Sequence, residues 1–126
     1  MATILLYHIT GIKEAQIRLL CSGQKISLRP VQDCELHIPL GALAGRPVPL
    51  TQKGEGTFTE EMLVLVDFTD SALDRFLKTY RESGIVPVSL KAVLTAHNQG
   101  WDSVALYREL VRERDEFLKK RMGQGK

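Results

Sequence analysis

The run Met62-Leu63-Val64-Leu65-Val66-Asp67-Phe68-Thr69-Asp70-Ser71-Ala72-Leu73 carries the decision about the fold. Five consecutive apolar residues stopped by an aspartate read as a strand. The spacing then changes. Leu73, Phe76, Leu77 and Tyr80 recur at helical intervals, Thr69 stands at the N-cap, and Phe68 and Leu73 are placed as a hydrophobic staple. Gly84 ends the helix and Ile85 can fold back on Tyr80. Residues 86–94 then predict another strand, reached through Pro87.

A weaker copy of this pattern lies upstream. Residues 3–9 are a β-branched and aromatic strand bounded by Thr10-Gly11, and a helix follows with Ile12, Ala15 and Leu19 on one side. Thr10 is the expected cap, Gly23 the left-handed residue that closes the helix. Lys25 to Val31 alternates as a half-buried strand, and Pro30 places it near an edge. A shift of 61 positions lays Thr10 on Ser71, Ile12 on Leu73, Leu19 on Tyr80 and Gly23 on Gly84. Residues 33–59 connect the copies, with one short helix over 39–45 and a mobile glycine-rich end. A last helix runs over 102–122, capped by Asp102.

At 126 residues the chain is expected to form a single domain, 1–126, built from βαβ units at 1–32 and 60–95. The order β-α-β–β-α-β spells an α+β, ferredoxin-like plait with an antiparallel sheet and an additional C-terminal helix. In that fold the first and third strands are central. Both are apolar on both faces, as Ile4, Leu5, Leu6 and Tyr7 show in the first. A strand with one wet face alternates, so something must cover the second face. The last helix and a second copy of the chain are the two candidates.

Charge and motifs exclude more than they assign. Seventeen basic against fifteen acidic residues leave +2, too little to imply a nucleic-acid or membrane partner. No apolar run approaches the roughly 18 residues of a membrane span, and the start lacks a signal-peptide pattern, so a cytoplasmic location is expected. Cys21 and Cys34 fit no metal or redox spacing and are read as free thiols. No phosphate loop, nucleophile elbow or zinc-helix motif is present; no catalytic residue, metal or cofactor is expected. Tyr7 alone does not make an aromatic platform for RNA.

The densest polar stretch is Lys91-Ala-Val-Leu-Thr95-Ala-His97-Asn98-Gln-Gly-Trp101. It gathers Lys91, Thr95, His97, Asn98 and the single tryptophan, Trp101, into one strand-to-helix connection, where ligand sites are common. The bland reading is favoured: Asn98-Gln99-Gly100 makes a turn, and Trp101 staples onto Leu106 behind the Asp102 cap. In the last helix Phe117, Leu118 and Met122 are candidate interface residues, while Glu116–Lys120 and Asp115–Lys119 are spaced as ion pairs on a solvated face.

Leu90-Lys91-Ala92-Val93-Leu94-Thr95, with Asn98, Trp101, Leu106, Arg108-Glu109-Leu110 and Glu113, resembles a small bacterial family known as a domain of unknown function. The resemblance covers about residues 60–115 and brings no activity, cofactor or ligand with it. The expectation is a non-enzymatic, self-associating regulatory or protein-binding module, a homodimer or other homo-oligomer. The alternative is a small-molecule-binding or enzymatic domain that uses the Lys91–Trp101 loop.

Overall fold

A computed structural model describes residues 2–124, with side chains described up to Arg121. The elements run β1 (Ala2–Tyr7), α1 (Gly11–Ser22), β2 (Ile26–Val31), a 3-10 turn (Asp33–Glu35), α2 (Leu40–Leu43), β3 (Met62–Val66), α3 (Asp70–Glu82), β4 (Leu90–Val93) and α4 (Ser103–Gln124). They form a four-stranded sheet in the order β2-β1-β3-β4. The central position of β1 and β3 and the edge position of β2 agree with the sequence reading.

The expected antiparallel sheet does not form. β1 pairs with β2 in parallel, β3 pairs with β4 in parallel, and only the central β1–β3 pair is antiparallel. Each helix is therefore a crossover that returns the chain beside the strand it left, and the plait's intervening strand is missing. Parallel strands are covered on both faces and read as continuous apolar runs. The doubly apolar strands were the signature of this arrangement.

The first strand and helix of each unit repeat in geometry with an offset of 59 rather than 61, while the second strands, β2 and β4, depart from it. Thr10 and Thr69 precede the two helices; Ile17 and Cys21 are the buried residues of α1, Phe76 and Tyr80 those of α3. Leu5 and Val64, 59 apart, face each other across the central pair, so an approximate two-fold axis passes between them. Matching the glycines misled. Gly84 is left-handed, with φ of 82°, but Gly23 is right-handed, and the left-handed residue after α1 is Lys25.

The same slip put the wrong face of α1 inward. Ile12 and Leu19 are 80% and 77% exposed, and Ala15 is also exposed. At about 100° per residue they lie roughly 120–180° around the helix from Ile17 and Cys21. β1 stops at Tyr7 because His8 turns left-handed, with φ of 59°. β4 is shorter than expected: residues 85–89 remain irregular, and pairing to β3 begins at Leu90.

Two apolar clusters sandwich the sheet. Ile4, Leu6, Leu63 and Leu65 pack beneath α1 and α3 with Ile17, Phe76 and Tyr80. Leu5, Tyr7, Met62, Val64 and Val66 pack on the other face against Leu36, Leu40, Leu43 and Phe58 of the connection and Val104 and Leu106 of α4. The second face is thus covered from within the chain, by the last helix together with the 33–59 segment. The glycine-rich end expected to be mobile is packed: Gly54 is buried, and a Cβ there would meet Ala105 N at 2.4 Å and the Val104 carbonyl carbon at 2.6 Å.

Candidate functional site

The Leu94–Ser103 corner joins β4 to α4 and contains all three buried polar side chains among the described residues: Asn98, Asp102 and Ser103. Thr95 and Asn98 clamp each other. The Thr95 amide donates to Asn98 Oδ1 at 2.8 Å, the Asn98 amide donates to Thr95 Oγ1 at 3.2 Å, and Asn98 Nδ2 donates to the Val93 carbonyl at 3.1 Å. Both polar atoms of the Asn98 side chain are therefore engaged in shaping the turn.

Five backbone hydrogen bonds then sew the corner to the connection. Leu40 N donates to Trp101 O, Gly41 N to Gln99 O, Thr51 N to Gly100 O, Asp102 N to Gln52 O and Ser103 N to Leu36 O, at 2.7–3.1 Å. Gly100 allows the approach of residue 51, since a Cβ would stand 2.5 Å from Thr51 Oγ1. Trp101 packs against the second cluster, and His97 meets its ring edge-on at 5.2 Å while remaining exposed.

Asp102 is the hub. Its side chain is wholly buried; Oδ1 accepts from Ala105 N at 2.8 Å, as the expected helix cap, and from Gly54 N at 2.9 Å. Oδ2 lies 2.8 Å from His37 Nδ1. Beside it Ser103 Oγ and Tyr7 Oη form a buried 2.6 Å hydrogen bond, and burial pushes the Tyr7 phenol far above its ordinary value. The cap was legible in the sequence. Its second role was not, because Tyr7, His37 and Gly54 are 48–95 positions away in the chain.

Of the five candidate ligand residues, Thr95, Asn98, His97 and Trp101 come together, and the structure engages the polar groups of Thr95 and Asn98 in the turn itself. Lys91 stands apart from them. It borders a 430 Å³ groove between α3 and β4 whose walls are Phe76, Leu77, Tyr80, Ile85 and Pro87, with Arg81 at its rim. Lys91 Nζ lies 6.0 Å from the centre of the Tyr80 ring, and Tyr80 Oη donates to the Val86 carbonyl at 2.8 Å. No group of three or more His, Cys, Asp or Glu among the described residues is placed to hold a metal ion. Cys21 and Cys34 are free thiols.

α4 is tied down at its base and projects beyond it. Tyr107 stacks on Phe58 at 4.3 Å, and its hydroxyl donates to Glu60 Oε1 at 2.8 Å. Arg114 donates to Glu60 Oε2 at 3.0 Å and, with Tyr107, holds that carboxyl below the usual range. Past Arg114 the helix stands in solvent: Phe117 is 59% and Leu118 49% exposed, and the Arg121 guanidinium lies 5.8 Å from the Phe117 ring. The side chain of Met122 lies outside the described residues. The expected i,i+4 pairs do not form. Glu116 reaches back to Arg112 at 2.8 Å, and Asp115 lies 4.0 Å from Arg114, leaving Lys119 and Lys120 without an ion pair among the described residues.

No helix of the described residues is long and apolar enough to cross a membrane. No curated protein and no solved structure matches the chain. One family model does, a domain of unknown function (DUF3783), over residues 61–117. The likeness therefore takes in β3, α3, β4, the corner around Asp102 and α4 as far as Phe117, and it is to that family that the second half of this chain is similar.

Proposed function

We propose that this chain is a non-enzymatic, self-associating binding module, and that two copies meet through the projecting end of α4. The exposed Phe117 and Leu118 carry this reading. They continue, seven residues on, the line of Leu110 and Val111, whose upstream part already packs on the second cluster. Seven-residue spacing is what keeps one helix face toward a partner helix.

Charge chooses the partner and its direction. Glu113, Asp115 and Glu116 alternate with Arg112 and Arg114 before the apolar pair, leaving residues 112–116 at −1, and Lys119, Lys120 and Arg121 follow it at +3. Two such helices laid antiparallel bring each slightly acidic 112–116 segment against the other's basic one; laid parallel they set the two +3 segments side by side. A second copy of this chain is therefore the complementary occupant. The non-enzymatic part of the reading is supported by the corner, where the polar groups of Thr95, Asn98 and Asp102 are spent on holding the turn. A bacterial, cytoplasmic protein suits two unpaired thiols and the family likeness.

Sedimentation velocity over a wide concentration range tests it. The native chain is expected to dimerise, with Phe117→Asp and 0.5 M salt each weakening association at least fivefold while the melting temperature stays within about 2 °C. A native chain that stays monomeric at the highest concentration, or a dimer indifferent to Phe117→Asp, overturns the proposal.

A further inference from the structure

We propose that the groove between α3 and β4 binds an amphipathic carboxylate: an extended aliphatic body lying along the groove, with its carboxylate held by Lys91. The 430 Å³ space falls within the range of small-molecule sites. It also adjoins further apolar space. A second recess of 190 Å³, bordered by Leu65, Leu73, Ala92 and Val93, shares Leu77 and Lys91 with the first. The two together make a trough along the helix–strand seam, suited to a chain more than to a compact ring.

The charge of the rim selects the head group. Lys91 and Arg81 make no ion pair among the described residues, and Glu61, the acid whose field reaches Tyr80, is already held by Lys13. Arg81 sits in the last turn of α3, where its charge also meets the helix's C-terminal carbonyls. Lys91 keeps its ammonium accessible to solvent, with no ion pair among the described residues. Its ammonium leans from β4 over the Tyr80 ring, at the mouth of an apolar trough. Tyr80 is not free to receive the head group as a donor, because its hydroxyl is committed to the Val86 carbonyl. A cation that no acid of the described residues neutralises, at the mouth of an apolar cavity, is complementary to an anion that brings its own apolar body.

Titration calorimetry of the full chain with sodium octanoate, sodium decanoate and decanol, all below their aggregation limits, tests this. Decanoate is expected to bind saturably and about fifteenfold more tightly than octanoate, since the two extra methylenes each contribute about fourfold when buried. Lys91→Gln, at an exposed position that leaves the fold intact, is expected to weaken decanoate at least fivefold without changing decanol binding. Phe117→Asp should leave decanoate affinity unchanged, which separates this site from the α4 interface. No saturable decanoate binding, equal binding of decanol and decanoate, or indifference to Lys91→Gln overturns the proposal.

Discussion

The two faces of the sheet are equally apolar and are covered in different ways. Beneath Ile4, Leu6, Leu63 and Leu65, each strand's own following helix supplies the cover, mainly through apolar contacts, with polar ties only from Tyr80 to the Val86 carbonyl and from Lys13 to Glu61 and the Pro87 carbonyl. Above Leu5, Tyr7, Met62, Val64 and Val66, the cover comes from residues 36–58 and from the base of α4, segments with no helical register to the strands they shield. That face needs polar fasteners. Asp102 joins Gly54, Ala105 and His37, Ser103 joins Tyr7, and five backbone bonds tie the corner to the connection. A local crossover needs only an apolar stripe of suitable period. An assembled lid must also satisfy the backbone groups it buries.

The contrast can be broken from either side. Phe76→Ala truncates the fully buried aromatic of α3 and is expected to cost about 4 kcal/mol in denaturant unfolding. The amide of Gly54 should keep its protection relative to the rest of the chain; its selective loss would show that the two covers are not independent. Asp102→Ala is expected to cost about 3 kcal/mol, from a lost helix cap and from buried groups left without an acceptor. Here hydrogen exchange should open at Gly54, Ala105 and the 36–58 segment first, with α1 and α3 still protected. Uniform opening would mean that the fasteners hold no separate unit.

The smallest effect concerns the seam where β2 enters the lid. The Arg29 guanidinium grips both Glu35 oxygens at 2.7 and 2.9 Å, the Gln32 amide adds a third bond, and together they hold the Glu35 carboxyl down at about 2. The folded value lies below the unfolded one near 4.5, so the contribution is present above pH 4.5 and is lost as pH falls toward 2. Melting curves should therefore show a steeper acid decline for the native chain than for Glu35→Gln across pH 4.5–2. Equal slopes would remove Glu35 from the account.

Much of this was legible. Thr69 is the cap it promised to be, its side chain accepting from Ala72 N, and Asp102 likewise. The short helix after Pro39 forms, and Pro30 lies in an edge strand. Helix α1 was misread because it is apolar on both sides. Ile12 and Leu19 repeat at helical spacing as well as Ile17 and Cys21 do, and only the docking of the helix on β1 chooses between them. The candidate site divided for a similar reason. Thr95 and Asn98 are three positions apart and close a local turn, whereas Lys91 acquires its meaning from α3, across the strand.

The sequence by itself determined the elements, the caps at Thr69 and Asp102 though not those at Thr10 and Gly23, the doubling of the βαβ unit and the need for two covers, because all of these follow from short-range spacing and the polarity of neighbours. Only the tertiary structure decided the parallel pairing, the 59-residue equivalence, the identity of the lid and the groove beside Lys91. Each of those depends on which residues meet across tens of positions, and burial, hydrogen bonding and charge are settled only when they do.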